Sequence, residues 1–221
     1  AQRVPLTELQ LRSRIDSESH DLNDYLQLGE LLTNAGRVEE VIELYRKALS
    51  LPLANSEKAK ISLALAWELY PIFAQREEVL SLAHRSISLL SDAPESPDVL
   101  YHRGFAQALV ALCTEISDPA AAGTLAQSAL SCLHDTLRNL DDANVEGAAC
   151  YLLAEMYLLL GDLERATTFC KRSLQGQIVK YDRLSRLLFL AELLRLSVQF
   201  ADAQTTLVDV SQDIEAYGNL L

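Results

Sequence analysis

A short motif with a glutamate at its centre recurs along this sequence. The matching segments are LGELL (28–32), AWELY (66–70), FAQAL (105–109), LAEMY (153–157) and LAELL (190–194). Their aligned residues, the glutamate column, are Glu30, Glu68, Gln107, Glu155 and Glu192, at steps of 38, 39, 48 and 37 residues. Self-similarity at a period of about 20 to 50 residues is typical of stacked repeats. The chain is therefore expected to fold as a repeat array.

The helical period extends over nearly the whole sequence. Glycine and proline are scarce, 8 and 6 of 221 residues, and apolar residues recur at intervals of three or four. In residues 203–214 the aspartates occupy one predicted face. The other face, predicted to be buried, consists of Ala203, Leu207, Val210 and Ile214. Turn residues divide the chain into about ten predicted helices, mostly of about 12 to 18 residues.

Further positions repeat at fixed distances after each member of the glutamate column. Six residues on are Gly36, Ala74, Gly161 and Val198, and fifteen residues on are Tyr45, Ala83, Cys170 and Leu207. A turn followed by a second amphipathic helix accounts for this spacing, so each unit is predicted to be a helical hairpin. The predicted units, which form one repeat domain over 21–217, are about 21–54, 56–92, 97–140, 145–176 and 180–217. Residues 1–20 are predicted to be a leader or a short helix that begins after Thr7.

Two of the units resemble the tetratricopeptide repeat (TPR), whose pattern places an aromatic residue, Leu-Gly, a turn glycine and alanines at fixed positions. Residues 25–52 match through Tyr25, Leu28, Gly29, Gly36, Tyr45, Ala48 and Pro52. Residues 150–174 match through Ala154, Tyr157, Gly161 and Ala166. The other three units are degenerate. The resemblance implies an all-α, right-handed α-solenoid of about five antiparallel helix pairs, and another solenoid of helix pairs is the alternative.

The resemblance also implies where a partner would bind. In a TPR-like array the first helix of each pair lines a concave groove, which here would present the glutamate column. One turn earlier on the same face it would present Leu26, Ala64, Arg103, Tyr151 and Leu188. An apolar shelf beside a row of acids suits an amphipathic helix or extended peptide that carries Lys or Arg. The Lys and Asn by which some TPR domains hold a C-terminal carboxylate are missing at these positions, so binding of acidic chaperone tails is not expected.

Other interpretations of the glutamates stay open at this point. A glutamate of the column can pair with a basic residue, as Glu192 can with Arg195, and then has a structural role only. The array can also serve as a regulatory sensor domain for a small ligand or short peptide, or as an oligomerisation unit that self-associates within a larger assembly.

Charge and composition exclude several other functions. The 31 acidic and 19 basic residues give a net charge of -12, which disfavours nucleic acid and anionic membranes as partners. Four dispersed cysteines without a C-x-x-C motif suit reduced thiols in a cytoplasmic protein, with a nuclear one as the alternative. The four histidines have no second ligand at helical spacing, and no nucleophile or phosphate-loop motif is present. No catalytic residue, metal or cofactor is therefore expected, and the chain is not predicted to be an enzyme.

Overall fold

The chain folds into α-helices joined by short turns. The computed structural model describes residues 6–17, 21–139, 143–175 and 180–218. Within these ranges there are eleven α-helices, one 3-10 turn (Phe73–Gln75) and no strand. The helices are α1 (Glu8–Asp16), α2 (Leu22–Asn34), α3 (Val38–Leu49), α4 (Asn55–Leu69), α5 (Arg76–Leu90), α6 (Pro97–Thr114), α7 (Pro119–Arg138), α8 (Ala143–Leu159), α9 (Leu163–Ser173), α10 (Lys180–Leu196) and α11 (Phe200–Gly218). The all-α fold of repeated helix pairs expected from the sequence is confirmed.

The chain divides into two compact units. Unit 1, Ala1–Ala93, contains α1 to α5, and unit 2, Pro94–Leu221, contains α6 to α11. In both units each helix packs mainly against its neighbours in sequence. Unit 1 holds the pairs α2–α3 and α4–α5, and unit 2 holds α6–α7, α8–α9 and α10–α11. The boundaries given above for the individual repeats stay predictions.

Side-chain caps explain where several helices begin. The Thr7 side chain accepts from the Gln10 backbone N–H, and the Gln10 side chain accepts in return from the Thr7 backbone N–H. This reciprocal pair satisfies two donors that the first turn of α1 leaves open. At four other helices an aspartate or serine side chain accepts a hydrogen bond from a backbone N–H of the first turn; these caps are Asp21, Ser96, Asp118 and Asp162.

Gly29 and Tyr45 show why unit 1 needs the glycine of the repeat pattern. Gly29 of α2 is in such close contact with the Tyr45 ring of α3 that a Cβ on residue 29 would overlap the hydroxyl and the adjacent ring carbons. The glycine therefore lets the two helices of one pair approach until the tyrosine is buried between them. The turn glycines Gly36 and Gly161 have a different role, because their φ angles of 69° and 79° lie in the left-handed region that favours glycine.

Helix α1 is attached to unit 1 by both apolar and ionic contacts. Leu11 and Ile15 are buried. Arg12 and Arg37 each contact both Glu8 and Glu40, so that two charges of α1 and two at the start of α3 form a closed network. The four side chains are 38% to 43% exposed, so the network orients α1 more than it stabilises it.

The buried face of α11 differs from the one predicted. Ala203 and Val210 are buried as expected, and Thr206 joins them. Leu207 and Ile214, which the apolar period assigned to the same face, are exposed. They lie on the edge of the apolar stripe, where no helix among the described residues covers them. Amphipathicity identifies an apolar face, whereas burial also requires a neighbour.

Candidate partner-binding surfaces

The structure places the ten predicted site residues on the first helices of the pairs, in two sets. The unit 1 surface consists of Leu26 and Glu30 on α2 and Ala64 and Glu68 on α4. The unit 2 surface consists of Arg103 and Gln107 on α6, Tyr151 and Glu155 on α8, and Leu188 and Glu192 on α10. Each predicted position thus lies on the first helix of a pair, and each set belongs to one compact unit.

On the unit 1 surface two glutamates lie near one tyrosine hydroxyl. Glu30 is exposed, and Glu68 is partly buried and accepts a hydrogen bond from Thr33 Oγ1 at 3.2 Å. Burial raises the pKa of Tyr45, and the negative charges of Glu68 and Glu30 raise it further. The Tyr45 hydroxyl therefore stays neutral at physiological pH, and the carboxylates of two successive repeats act on it electrostatically. Leu26 and Ala64 are partly exposed beside them.

On the unit 2 surface Glu155 has a hydroxyl partner rather than a cationic one. Its side chain is partly buried and accepts a hydrogen bond from Tyr151, one turn earlier on α8. Burial raises the pKa of Glu155 to about 7, the charge of Glu115 adds to this increase, and the Tyr151 hydrogen bond opposes it. No Lys or Arg in the described part of the chain forms an ion pair with Glu155. The carboxylate is thus held in a site that disfavours its charge.

Cys170 repeats in unit 2 the relation that Tyr45 has in unit 1. Both residues lie fifteen positions after a member of the glutamate column. Burial raises the pKa of Cys170 to about 12, and the charge of Glu155 contributes to the increase. In both units, therefore, a glutamate of the first helix lies close to a buried polar group of the second.

The other members of the unit 2 surface are less uniform. Arg103 is partly buried, with Nη1 3.9 Å from a carboxylate oxygen of Glu95. Gln107 Oε1 is buried and accepts no hydrogen bond from any described residue. Leu188 is exposed. The sequence placed these residues on the first helices but could not indicate which of their polar atoms are satisfied.

Glu192 has the ion pair that the alternative interpretation anticipated. The Arg195 guanidinium donates to its two carboxylate oxygens at 2.6 and 2.7 Å, and these hydrogen bonds lower the pKa of Glu192. Both side chains are exposed. A role for Glu192 in binding stays a prediction, and a partner would have to compete with Arg195 for its carboxylate.

Sequence reasoning missed a buried arginine that supports the unit 2 surface. Arg186 of α10 donates from Nη1 to the Ser173 carbonyl oxygen at the end of α9, at 2.6 Å. Its guanidinium also lies over the Tyr151 ring, 5.7 Å from the centroid, with Nη2 3.8 Å from a carboxylate oxygen of Asp182. Tyr151 in turn contacts the Phe189 ring edge to face at 5.5 Å. The tyrosine that bonds Glu155 is thus positioned from two sides by α10.

Gly147 makes room for this arginine. A Cβ on residue 147 would lie 3.1 Å from Arg186 Nη1 and 3.5 Å from the Ser173 carbonyl oxygen. An arginine in the apolar stretch LSRLLFLAELL was the available sequence signal. Its target is a backbone carbonyl on another helix, which no side-chain pattern reveals.

Two classes of site are missing from the described ranges. They contain no group of three or more His, Cys, Asp or Glu side chains that could hold a metal ion. None of the helices described is both long and apolar enough to cross a membrane.

Comparison with known proteins identifies the repeat. Residues 25–59 and 147–175 each match a sequence profile of the tetratricopeptide repeat. These are the two units in which the sequence pattern was strongest, and they lie in different structural units. No curated protein is similar enough to count as a match.

Solved structures share the fold at low sequence identity. A Rap protein complexed with competence and sporulation factor superposes with a TM-score of 0.65 at 15% identity, over 97% of this chain and 60% of that one. A thermophilic TPR protein of Thermus thermophilus superposes with a TM-score of 0.57 at 21% identity, over 90% of this chain and 100% of that one. BtubC from P. vanneervenii gives a TM-score of 0.53 at 16% identity, over 94% and 88%. At such identities the likeness concerns the fold alone. Together with the two matched repeats, it establishes that this chain is a TPR-like repeat protein.

Proposed function

We propose that this chain is a non-catalytic interaction scaffold whose first helices bind a basic, amphipathic segment of a partner protein. The observation that carries the proposal is Glu155, a partly buried carboxylate whose hydrogen-bond partner is a hydroxyl and whose pKa is raised to about 7. An ionised group in such a site is costly unless an opposite charge meets it. A lysine or arginine of a partner would supply that charge.

The unit 1 surface supports the same proposal independently. Glu30 is exposed and forms no ion pair within the described ranges, and Glu68 faces the same tyrosine hydroxyl. Glu30 and Glu68 come from successive repeats and both lie near the buried Tyr45. Their carboxylates offer hydrogen-bond acceptors whose spacing is set by the repeat. An extended or helical segment with basic residues can contact both, with Leu26 and Ala64 beside it as an apolar shelf.

Neither surface suits an acidic partner. At the positions where a carboxylate-binding TPR domain would need Lys and Asn, these surfaces have Leu26 with Glu30 and Tyr151 with Glu155. The chain as a whole carries a net charge of -12, which increases the association rate of a basic partner and slows that of an acidic one.

Affinity purification with matched variants tests the proposal. The test proteins are Glu30→Lys/Glu68→Lys for unit 1 and Glu155→Gln for unit 2. The control, Glu43→Lys/Glu164→Lys, changes two exposed glutamates on the second helices α3 and α9. A partner bound as proposed is recovered with the parent and the control, is lost with at least one test protein, and is released by salt. A partner recovered equally with all variants would contradict the proposal.

The two alternative functions, a sensor domain and a self-associating unit, would give different experimental results. A sensor domain would show an increase in melting temperature with a small molecule alone. A self-associating unit would show a mass that rises with concentration in light scattering, with no other protein recovered.

A further inference from the structure

Glu155 differs from the other carboxylate of the unit 2 surface in its surroundings. Glu192 is exposed and accepts two hydrogen bonds from the Arg195 guanidinium. Glu155 is partly buried and accepts a hydrogen bond from the Tyr151 hydroxyl. A neutral hydroxyl stabilises a carboxylate less than a guanidinium does, and burial removes part of its hydration. The protonated form is therefore more favourable for Glu155 than for an exposed glutamate.

The helices packed around α8 present a like charge to Glu155 and, among the described residues, no cation that pairs with it. Glu115, directly after α6, acts on Glu155 through its negative charge. Cys170 of α9 lies close enough for the charge of Glu155 to act on it, and its thiol is neutral. His134 of α7 contacts Tyr157 instead, with 2.8 Å between Nε2 and the hydroxyl oxygen. Burial and the second carboxylate thus both oppose ionisation of Glu155.

The arginines of the neighbouring helices are paired with other carboxylates. Their ion pairs in the described ranges are Arg103–Glu95, Arg138–Asp135, Arg165–Asp162, Arg172–Glu146, Arg183–Asp213, Arg186–Asp182 and Arg195–Glu192. Lys171 of α9 is exposed and forms no ion pair with Glu155. A cation for Glu155 would therefore have to come from outside the part of the chain that the structure describes.

The pKa of Glu155 reflects these surroundings. Burial raises the pKa to about 7, the charge of Glu115 adds to the increase, and the Tyr151 hydrogen bond opposes it. At neutral pH the side chain is therefore divided between its acid and carboxylate forms. The carboxylate form alone carries the charge that attracts a lysine or arginine.

We infer that a basic partner binds the unit 2 surface in exchange for a proton, which leaves Glu155 as the partner's lysine or arginine arrives. The O–H bond of the carboxylic acid breaks, the proton passes to solvent, and the carboxylate pairs with the incoming ammonium or guanidinium. The inference rests on the proposed function and adds its regulation, because binding at this surface then depends on pH in the neutral range. Affinity should fall about tenfold for each pH unit below the midpoint of the titration and stay constant above it.

Carboxyl ¹³C NMR of the protein without a partner tests the first half of the inference. The resonance that is missing from Glu155→Gln identifies Glu155, and its shift is followed against pH. The midpoint should lie near neutrality in the parent. It should move to lower pH in Glu115→Gln, which removes the like charge, and to higher pH in Tyr151→Phe, which removes the hydrogen bond. A midpoint in the parent at the ordinary glutamate value of 4.5 would overturn the inference.

A peptide titration tests the second half. The probe is an acetylated, fluorescently labelled amphipathic helix of leucine and lysine, which has no group that titrates near neutrality. Its binding to the whole protein is followed by anisotropy at pH 6, 7 and 8 and constant ionic strength. The parent should bind it about tenfold more weakly at pH 6 than at pH 8. Repeating the series in a Glu30→Lys/Glu68→Lys background confines the peptide to the unit 2 surface.

Two variants show whether Glu155 causes this dependence. Glu155→Gln should bind the peptide more weakly than the parent at pH 8 and equally at pH 6 and pH 8. The matched control Glu164→Gln changes an exposed glutamate on the second helix α9 and should behave as the parent does.

Failure of the inference can be told apart from failure of the proposed function. If Glu155→Gln weakens binding but the parent binds equally at pH 6 and pH 8, the proposed function stands and the exchange of a proton is wrong. If the parent and Glu155→Gln bind the peptide alike at pH 8, or neither binds it, Glu155 does not receive a cation, and the proposed function at this surface is contradicted together with the inference.

Discussion

The Arg186 guanidinium donates a hydrogen bond to the Ser173 carbonyl oxygen at 2.6 Å and thereby joins the start of α10 to the end of α9. Ser173 is fully buried and Arg186 nearly so. A carbonyl at a helix end has no partner within its helix, so a side chain from the next repeat satisfies it here. The same guanidinium covers Tyr151, which links this structural contact to the unit 2 surface.

Replacing this arginine should destabilise the protein. Arg186→Met keeps much of the apolar stem but leaves the Ser173 carbonyl and Asp182 without the guanidinium. We expect the free energy of unfolding to fall by about 2 to 3 kcal/mol, as is typical when a buried polar group loses its partner. Urea denaturation followed by circular dichroism measures the change.

Arg183→Met serves as the matched control. Arg183 lies on the same helix, and its ion pair with Asp213 at 2.9 Å is 42% and 35% exposed. Its loss should cost about 0 to 1 kcal/mol. If both variants lost the same free energy of unfolding, the hydrogen bond from Arg186 to Ser173 would contribute no more to stability than an exposed ion pair.

Two glycine-to-alanine changes should have opposite signs. Gly29→Ala places a methyl group inside the Tyr45 ring, so we expect a loss of about 1 to 3 kcal/mol from overpacking. Gly123→Ala on α7 places the new methyl group 3.9 Å from Leu160, which is an ordinary van der Waals contact. The change also removes the unfavourable helix propensity of glycine. That variant should gain about 0.5 to 1 kcal/mol. The melting temperatures of both variants, measured in the same buffer as that of the parent, show whether each change stabilises or destabilises the protein.

Glu155 should make stability depend on pH near neutrality. The folded pKa of about 7 lies above the ordinary 4.5, so the folded state binds the proton more tightly than the unfolded state does. The resulting penalty is absent below about pH 4.5, grows up to about pH 7 and is complete above it. Glu155→Gln, which cannot ionise, should be more stable than the parent by about 2 to 3 kcal/mol at pH 8. The difference should largely disappear at pH 4.5.

Glu192→Gln tests whether that behaviour belongs to Glu155 in particular. The pKa of Glu192 is lowered by Arg195, so its ion pair favours folding above the ordinary pKa and is lost as the pH falls. The variant should therefore be slightly less stable than the parent at pH 8 and indistinguishable from it at acidic pH. Unfolding curves for both variants across this range would show opposite trends. Parallel trends would rule out the buried-carboxylate explanation.

The cysteines should differ in reactivity. Burial raises the pKa of Cys150 to about 11 and that of Cys170 to about 12, so neither is a thiolate at pH 8. Cys132 is partly exposed and Cys113 is buried. Brief treatment of the native protein with iodoacetamide at pH 8 should label Cys132 first, as peptide mass spectrometry can show. Labelling of Cys170 before Cys132 would contradict the burial of α9 under α10.

The sequence predicted the features that depend on repetition. Gly29 and Tyr45 were both identified as positions of the TPR pattern, and the structure brings them into contact. Features that depend on the distances between particular helices could not be predicted from the sequence. Arg186 reaches a backbone carbonyl, and Leu207 has the right period for burial but no described helix to bury it. Glu192 could pair or remain open, and the sequence left both alternatives standing until the geometry of Arg195 was known.

Helix α1 has a practical consequence for anyone designing fragments of this protein. Leu11 and Ile15 pack into unit 1, and the network of Glu8, Arg12, Arg37 and Glu40 joins α1 to α3. A fragment that starts at Asp21 would therefore expose the apolar surface that Leu11 and Ile15 cover. It would also lose one partner from each of the ion pairs Arg12–Glu40 and Arg37–Glu8. Expression vectors for unit 1 should begin before Thr7, whose side chain caps the helix.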